Sequence, residues 1–225
     1  MKLLDDLVTV AMSDVKDGSM SKAVSTLERD ENRRKFLSKQ GVTPEQTTLV
    51  HMKYEGNDYR RYHTVGQNNA GDGIVRESTI VADALFTRDK NLALMLPVAD
   101  CIGAVLYDAE NNVLGLAHLG RHNLEQNGGA GVVAYMKERF CTKPESLHAW
   151  LSPAAGKANY PLYDFDGQSM HEVASAQLLK AGVIRNNIKI DGRDTTADMT
   201  LFSHSEFLKG NQSTDGRQAL IAMMC

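Results

Sequence analysis

The sequence predicts a mixed α+β domain rather than a doubly wound parallel sheet. Helix-like and strand-like segments mix without a strict strand–helix–strand rhythm. Several apolar runs are joined by only a few turn residues, as hairpins require. No internal repeat and no linker rich in Pro, Gly or Ser divides the chain. Its 225 residues are therefore read as a single domain, 1–225, with room for a sizeable core.

Residues 3–11 carry an opening strand pattern. Ser19 or Ser21 can cap a helix running to Gln40, because a serine hydroxyl accepts from the free amides of a first turn, and Gly41 is its stop. Val24, Leu27, Phe36 and Leu37 give that helix a partly apolar face. After Pro44, residues 47–54 alternate as a strand does, with Leu49, His51 and Lys53 against Val50, Met52 and Tyr54. Residues 59–65 suggest a second short strand. The GQNNAGDG stretch at 66–73 lacks the lysine and hydroxyl residue of a phosphate loop and reads as a surface loop. Strands then dominate, over 79–87, 92–98, 102–107 and 113–118. Asn123 or Asn127 starts a helix to Phe140, its first turn weakened by Gly128, Gly129 and Gly131. Residues 147–151 form a strand, and 167–181 an amphipathic helix stopped by Gly182. A strand follows over 187–190, a short helix with a loop over 195–209, and a closing strand over 218–224.

Composition narrows the function classes. Apolar residues make up 42% and charged residues 24%, an ordinary soluble balance. A net charge of −3 gives no basic face for nucleic acid. The three cysteines, Cys101, Cys141 and Cys225, form no close pair, which argues against a disulfide framework and for a reducing compartment. The first residues, MKLLDDLVTVAMSD, meet acid at once and lack a secretory apolar region. No apolar stretch approaches ~18 residues, so no membrane partner is expected. A cytoplasmic location is the expectation.

Cys101 and His118 carry the most specific chemistry. Each ends an apolar run, and the residues between them run out, turn at 108–112 and run back. Such a hairpin puts a soft thiol and an imidazole at one edge of a sheet, with Asp100 beside the thiol and Gly120, Arg121 and His122 after the imidazole. The pair either binds a transition metal or works as nucleophile and base. Cys141 and Cys225 read as spare thiols and Trp150 as a packing residue. His148, His171 and His204 read as solvated or structural.

The neighbourhood of this pair resembles the YfiH or laccase-domain family, also labelled polyphenol oxidase. VADALFT at 81–87, the run ending in Ala99-Asp100-Cys101, and AHLG at 117–120 are similar to its core motifs. Glu31-Asn32-Arg33, SPAAG at 152–156, GRDTTADMTLFS at 192–203 and DGRQA at 215–219 continue the match in order. The resemblance implies sandwich-like β-sheets flanked by helices, related to the deamidase domain of cytotoxic necrotizing factor. It also implies phosphorolysis of purine nucleosides or deamination of adenosine, with zinc rather than copper as the metal and phosphate as a co-substrate. In the family, a histidine of a QVHG segment joins the ADC cysteine and the AHAGW histidine at the metal. The last two fall on Cys101 and His118. Glu55 stands where the first belongs, so the implied ligands are Glu55, Cys101 and His118, with His51 or His63 as substitutes for Glu55. The implied catalytic residues are Cys101, His118 and Asp100. Arg121, His122 and Arg217 are the implied substrate-binding residues, with Arg193 a further candidate for phosphate. Arg121 replaces the family tryptophan and Ser205 an arginine, so the pocket has been rebuilt.

A four-copper laccase needs on the order of ten histidines with His-x-His pairs. This chain has seven histidines and no such pair, which disfavours a true multicopper mechanism. Two rival readings remain. One is a metal-free hydrolase or amidase with Cys101 as nucleophile and His118 as base. The other is a non-catalytic descendant that keeps only the fold.

Overall fold

The computed structural model describes residues 2–3, in backbone only, and 7–225. In chain order the elements are β1 (Lys2–Leu3), β2 (Val8–Met12), α1 (Thr26–Lys39), β3 (Thr47–Leu49), β4 (Tyr62–Thr64), β5 (Ala84–Thr87), β6 (Ala93–Val98), β7 (Ile102–Asp108) and β8 (Val113–Leu119). They continue as α2 (Arg121–Glu125), α3 (Gly128–Phe140), β9 (His148–Leu151), α4 (Met170–Lys180), β10 (Ile188–Ile190), α5 (His204–Leu208) and β11 (Gln218–Met224). One sheet has the order β1-β2-β11-β6-β3 and the other β10-β9-β7-β8-β5-β4. Both mix parallel and antiparallel pairs, so the mixed α+β reading holds.

The two sheets pack face to face and helices cover their outer faces. On β6, Leu94, Leu96 and Val98 meet Val105, Leu114, Leu116 and Leu220 between the sheets. The alternate residues Ala93 and Met95 turn outward, with Ile221 of β11, to Phe36 and Leu37 of α1. On the other sheet Ile102, Ala104, Leu106 and Ala117 pack against Val132 and Met136 of α3 and Val173 and Leu178 of α4. Strands buried on both faces read as unbroken apolar runs, which is why β6, β7, β8 and β11 were legible in the sequence.

Several boundaries differ from expectation for physical reasons. Of the opening strand expected over 3–11, Leu3 falls in β1, residues 4–6 lie outside the described residues, Leu7 is a turn and β2 covers 8–11. Ser25, not Ser19 or Ser21, caps α1, its Oγ accepting from Glu28 N at 3.2 Å. Ser19 and Ser21 instead hold the start of β11, through Arg217 N at 3.2 Å and Asp215 O at 3.4 Å. The strand expected over 47–54 stops at Leu49, although Val50 N still reaches Met95 O at 2.8 Å. Of the two starts expected for the helix to Phe140, Asn127 is the one found, as the residue before α3 at φ +58, while Asn123 lies in the separate short helix α2.

The hairpin β7–β8 is the element that matters for the site. Its register pairs Ile102 with Leu119 and Gly103 with His118. Cys101 and Gly120 therefore sit just beyond its open end, beside His118.

Candidate functional site

A cleft of about 950 Å³ opens at that end of the hairpin. Cys101, His118 and Asp100 line it, with Arg121, His122 and Arg217, so these six sequence-predicted residues are brought together. Met20, Met52, Pro97, Val98, Tyr54 and Tyr160 supply its apolar and aromatic wall.

Gly120 sets the distance between the pair. A Cβ there would lie 2.7 Å from Cys101 Sγ and 2.8 Å from His118 Cε1, so only glycine lets thiol and imidazole face the same space. His118 is almost fully buried, its amide donating to Asp83 O at 2.8 Å. Protein surrounds both groups closely although Cys101 keeps some exposure to the cleft. Burial pushes the thiol up to about 12, with Asp100 adding to the effect and Arg217 and Arg121 opposing it. Burial likewise pushes the imidazole down to about 4. At neutral pH the pair is a thiol beside a neutral imidazole, not a preformed thiolate–imidazolium pair, which weakens the metal-free hydrolase reading.

Asp100 was read as catalytic, yet both of its carboxylate oxygens are engaged. Oδ1 accepts from Thr195 Oγ1 at 2.7 Å and Oδ2 from Ser205 N at 2.7 Å. Its backbone holds φ +66, and Cys101 N donates to Ala99 O at 2.8 Å, closing a tight turn with positive φ. This turn aims Cys101 at the cleft and ties it to the start of α5. A non-glycine residue held there stores strain of order 1–3 kcal/mol, a pattern that clusters at functional sites.

The third corner of the pair is aromatic. The Tyr54 ring stands edge-on to His118 with centroids 6.3 Å apart. Arg61 fixes the loop that carries it, donating to Lys53 O at 2.6 Å and to both oxygens of Asp83 at 2.8 and 2.9 Å. Glu55 is exposed and does not line the cleft. His63 is exposed on β4, also away from it. His51 lines the cleft, and its Nδ1 is buried without a partner. Among the described residues no three His, Cys, Asp or Glu side chains gather closely enough to hold a metal ion. The residues present therefore fall at least one donor short of a protein-held zinc or copper site.

The remaining candidates divide. Arg193 pairs with Asp191 at 2.8 Å outside the cleft. His122 stacks on Tyr59 with ring centroids 4.8 Å apart and shares Glu125, at 3.0 Å from its Nδ1. Arg217 donates through Nη1 to Asp215 Oδ1 at 2.5 Å, to Asp215 O at 3.2 Å and to Gly216 O at 2.7 Å. The sequence reading missed Tyr54, Tyr160, His204 and Asp215, which line the same cleft.

A family model described as multi-copper polyphenol oxidoreductase laccase matches residues 22–171. The chain belongs to that family. The matched span includes the Cys101–His118 hairpin but ends before α5 and Arg217. A purine nucleoside phosphorylase of Corynebacterium glutamicum is 27% identical over 206 residues, covering 84% of this chain and 78% of that protein. The purine nucleoside phosphorylase YlmD of Bacillus subtilis is 28% identical over 106 residues, 46% of this chain and 38% of the relative. The fold is shared with YlmD from Geobacillus stearothermophilus, at TM-score 0.85, 20% identity and coverage of 97% of this chain and 92% of that one. It is shared also with the hypothetical protein YfiH of Bacillus licheniformis, at TM-score 0.84, 20% identity and coverage of 97% and 93%. The laccase-domain family's name is a copper name, but among the described residues the His and Cys side chains lining this cleft form no group of three close enough to hold a metal ion.

Proposed function

We propose that this laccase-domain protein cleaves purine nucleosides by phosphorolysis. The observation that carries the reading is a cleft whose lining combines aromatic and apolar side chains with cationic ones. Tyr54, Tyr160 and Met52 suit a flat purine, and Lys22, Arg121 and Arg217 suit a phosphate. A volume of about 950 Å³ lies within the range that small-molecule sites occupy. The names of the Corynebacterium and Bacillus relatives support the same substrate class.

In this reaction a phosphate oxygen attacks C1′ of the sugar. The bond from C1′ to the base breaks, and its electron pair leaves with the purine. Arg217 holds phosphate in place through the guanidinium edge that Asp215 does not occupy. The protonated Cys101 thiol and the Tyr54 phenol offer hydrogen bonds to the departing base, and neutral His118 accepts one. No three potential zinc ligands gather among the described residues, so no step is assigned to zinc. Three free thiols, two of them exposed, suit a reducing compartment such as the cytoplasm.

Purified protein incubated with inosine, adenosine or guanosine, with and without phosphate, tests the reading by chromatography of the products. Free base that forms only with phosphate is the expected result. Conversion of adenosine to inosine without phosphate would replace this reading with deamination, and no turnover of any nucleoside would remove it.

A further inference from the structure

His204, read from the sequence as solvated or structural, occupies a built position in the cleft. Its Nδ1 lies 2.7 Å from Asp215 Oδ1, the same oxygen that accepts from Arg217 Nη1 at 2.5 Å. One carboxylate thus orients an imidazole and a guanidinium side by side. A carboxylate on Nδ1 selects the tautomer with its proton there, which turns Nε2 away from Asp215. All three residues line the cleft, and His204 is only half-buried, so its outer edge meets incoming solutes.

The surroundings fix this arrangement. His204 opens α5, and the next residue, Ser205, donates its amide to Asp100 at 2.7 Å, next to Cys101. Arg217 is near enough to Cys101 that its charge opposes the rise in the thiol's pKa. The Asp215–His204–Arg217 group and the Cys101–His118 pair therefore bound one working space. Burial alone would raise the Asp215 pKa, but Arg217 and His204 outweigh it and hold it below the usual carboxylate range. Lys22 and Arg121 add positive charge to the lining, and Asp100 and Asp215, the two acids there, are both engaged.

We propose that His204 and Arg217, held by Asp215, form an oxyanion subsite that binds inorganic phosphate. Arg217 donates through the guanidinium edge left by Asp215, and the Nε2 lone pair of His204 accepts from the P–OH of hydrogen phosphate. The use of this subsite in phosphorolysis rests on the function proposed above, but phosphate binding itself does not.

Isothermal titration of inorganic phosphate into the full-length protein tests the subsite directly. Wild type binds. His204→Ala binds about tenfold or more weakly, the loss of one hydrogen bond to a charged group. Asp215→Asn weakens binding several-fold by releasing the imidazole and guanidinium from their orientation. His204→Gln restores part of the affinity, since its amide reaches about as far as Nε2, and it stands in if the alanine variant fails to fold. Arg193→Ala, outside the cleft, binds like wild type. In turnover, His204→Ala raises KM for phosphate and leaves KM for the nucleoside within about twofold. Absence of phosphate binding by wild type, or binding that ignores both His204 and Asp215, overturns the proposal. Phosphate binding that depends on His204 without any nucleoside turnover would keep the subsite and remove the phosphorolysis reading. Turnover whose KM for phosphate ignores His204 would do the reverse.

Discussion

Replacing Asp100 separates an anchoring role from a catalytic one. Its carboxylate receives two hydrogen bonds of 2.7 Å, from Thr195 Oγ1 and Ser205 N, at a site only 5% exposed. Hydrogen bonds to a charged group contribute about 1.5–3 kcal/mol each, so Asp100→Ala loses about 3–6 kcal/mol from the pair. Alanine at φ +66 keeps the backbone strain that aspartate already bears there, so the backbone does not offset the loss. Against a typical total of about 5–15 kcal/mol, the variant keeps only part of its stability. Asp100→Gly loses the same bonds but relaxes the backbone, and is more stable than the alanine variant by up to about 1 kcal/mol. Asp100→Asn keeps one acceptor for Ser205 N, while the Thr195 hydroxyl can turn to accept from the new amide, so it falls between alanine and wild type. Urea denaturation at pH 7, read as midpoint and slope, gives all three numbers. A loss below about 1 kcal/mol in Asp100→Ala, with the glycine variant no more stable than alanine, would refute the anchoring argument. A stable Asp100→Asn protein with abolished turnover would return Asp100 to the catalytic set.

Two further outcomes follow from the pair itself. Gly120→Ala places a Cβ 2.7 Å from Cys101 Sγ and 2.8 Å from His118 Cε1, so it should lower stability by about 1–3 kcal/mol and turnover by more. An unchanged melting temperature and kcat/KM would show that thiol and imidazole do not converge there. Burial depresses the folded pKa of His118 to about 4, below its unfolded value of about 6.5. The unfolded chain therefore takes the proton first, and stability falls as pH drops through that window, by up to about 3 kcal/mol. His118→Asn lacks this component, so paired urea curves at pH 7 and pH 4.5 isolate it. An equal pH dependence in both proteins would contradict the burial.

The parts of the site that lie on the β7–β8 hairpin were legible because strand alternation and a short turn fix register over a few residues. Cys101 and His118 come together for that reason alone. The third corner was not legible. Residues 53–58 carry no period, and which side chain faces His118 depends on Arg61, Asp83 and α2 holding the loop. Motif alignment put Glu55 there, whereas the structure presents Tyr54. Asp100 lies far along the chain from Thr195 and Ser205, and no local pattern announces those bonds. The His204–Asp215 link was more accessible. The spacing from LFSHSEF to the Asp-Gly-Arg of 215–217 brings a histidine, an acid and an arginine within fourteen residues, a cluster that a search for paired titratable groups would have flagged. The sheets were read well because four strands are buried on both faces, and strand ends were read poorly because they depend on partners elsewhere in the chain.

The most direct test of phosphorolysis is phosphorus NMR of the protein with inosine and inorganic phosphate. The account predicts a new sugar 1-phosphate resonance that grows in step with free hypoxanthine and is lost with Arg217→Ala. Release of hypoxanthine with no phosphorylated sugar, or no release at all, would contradict it.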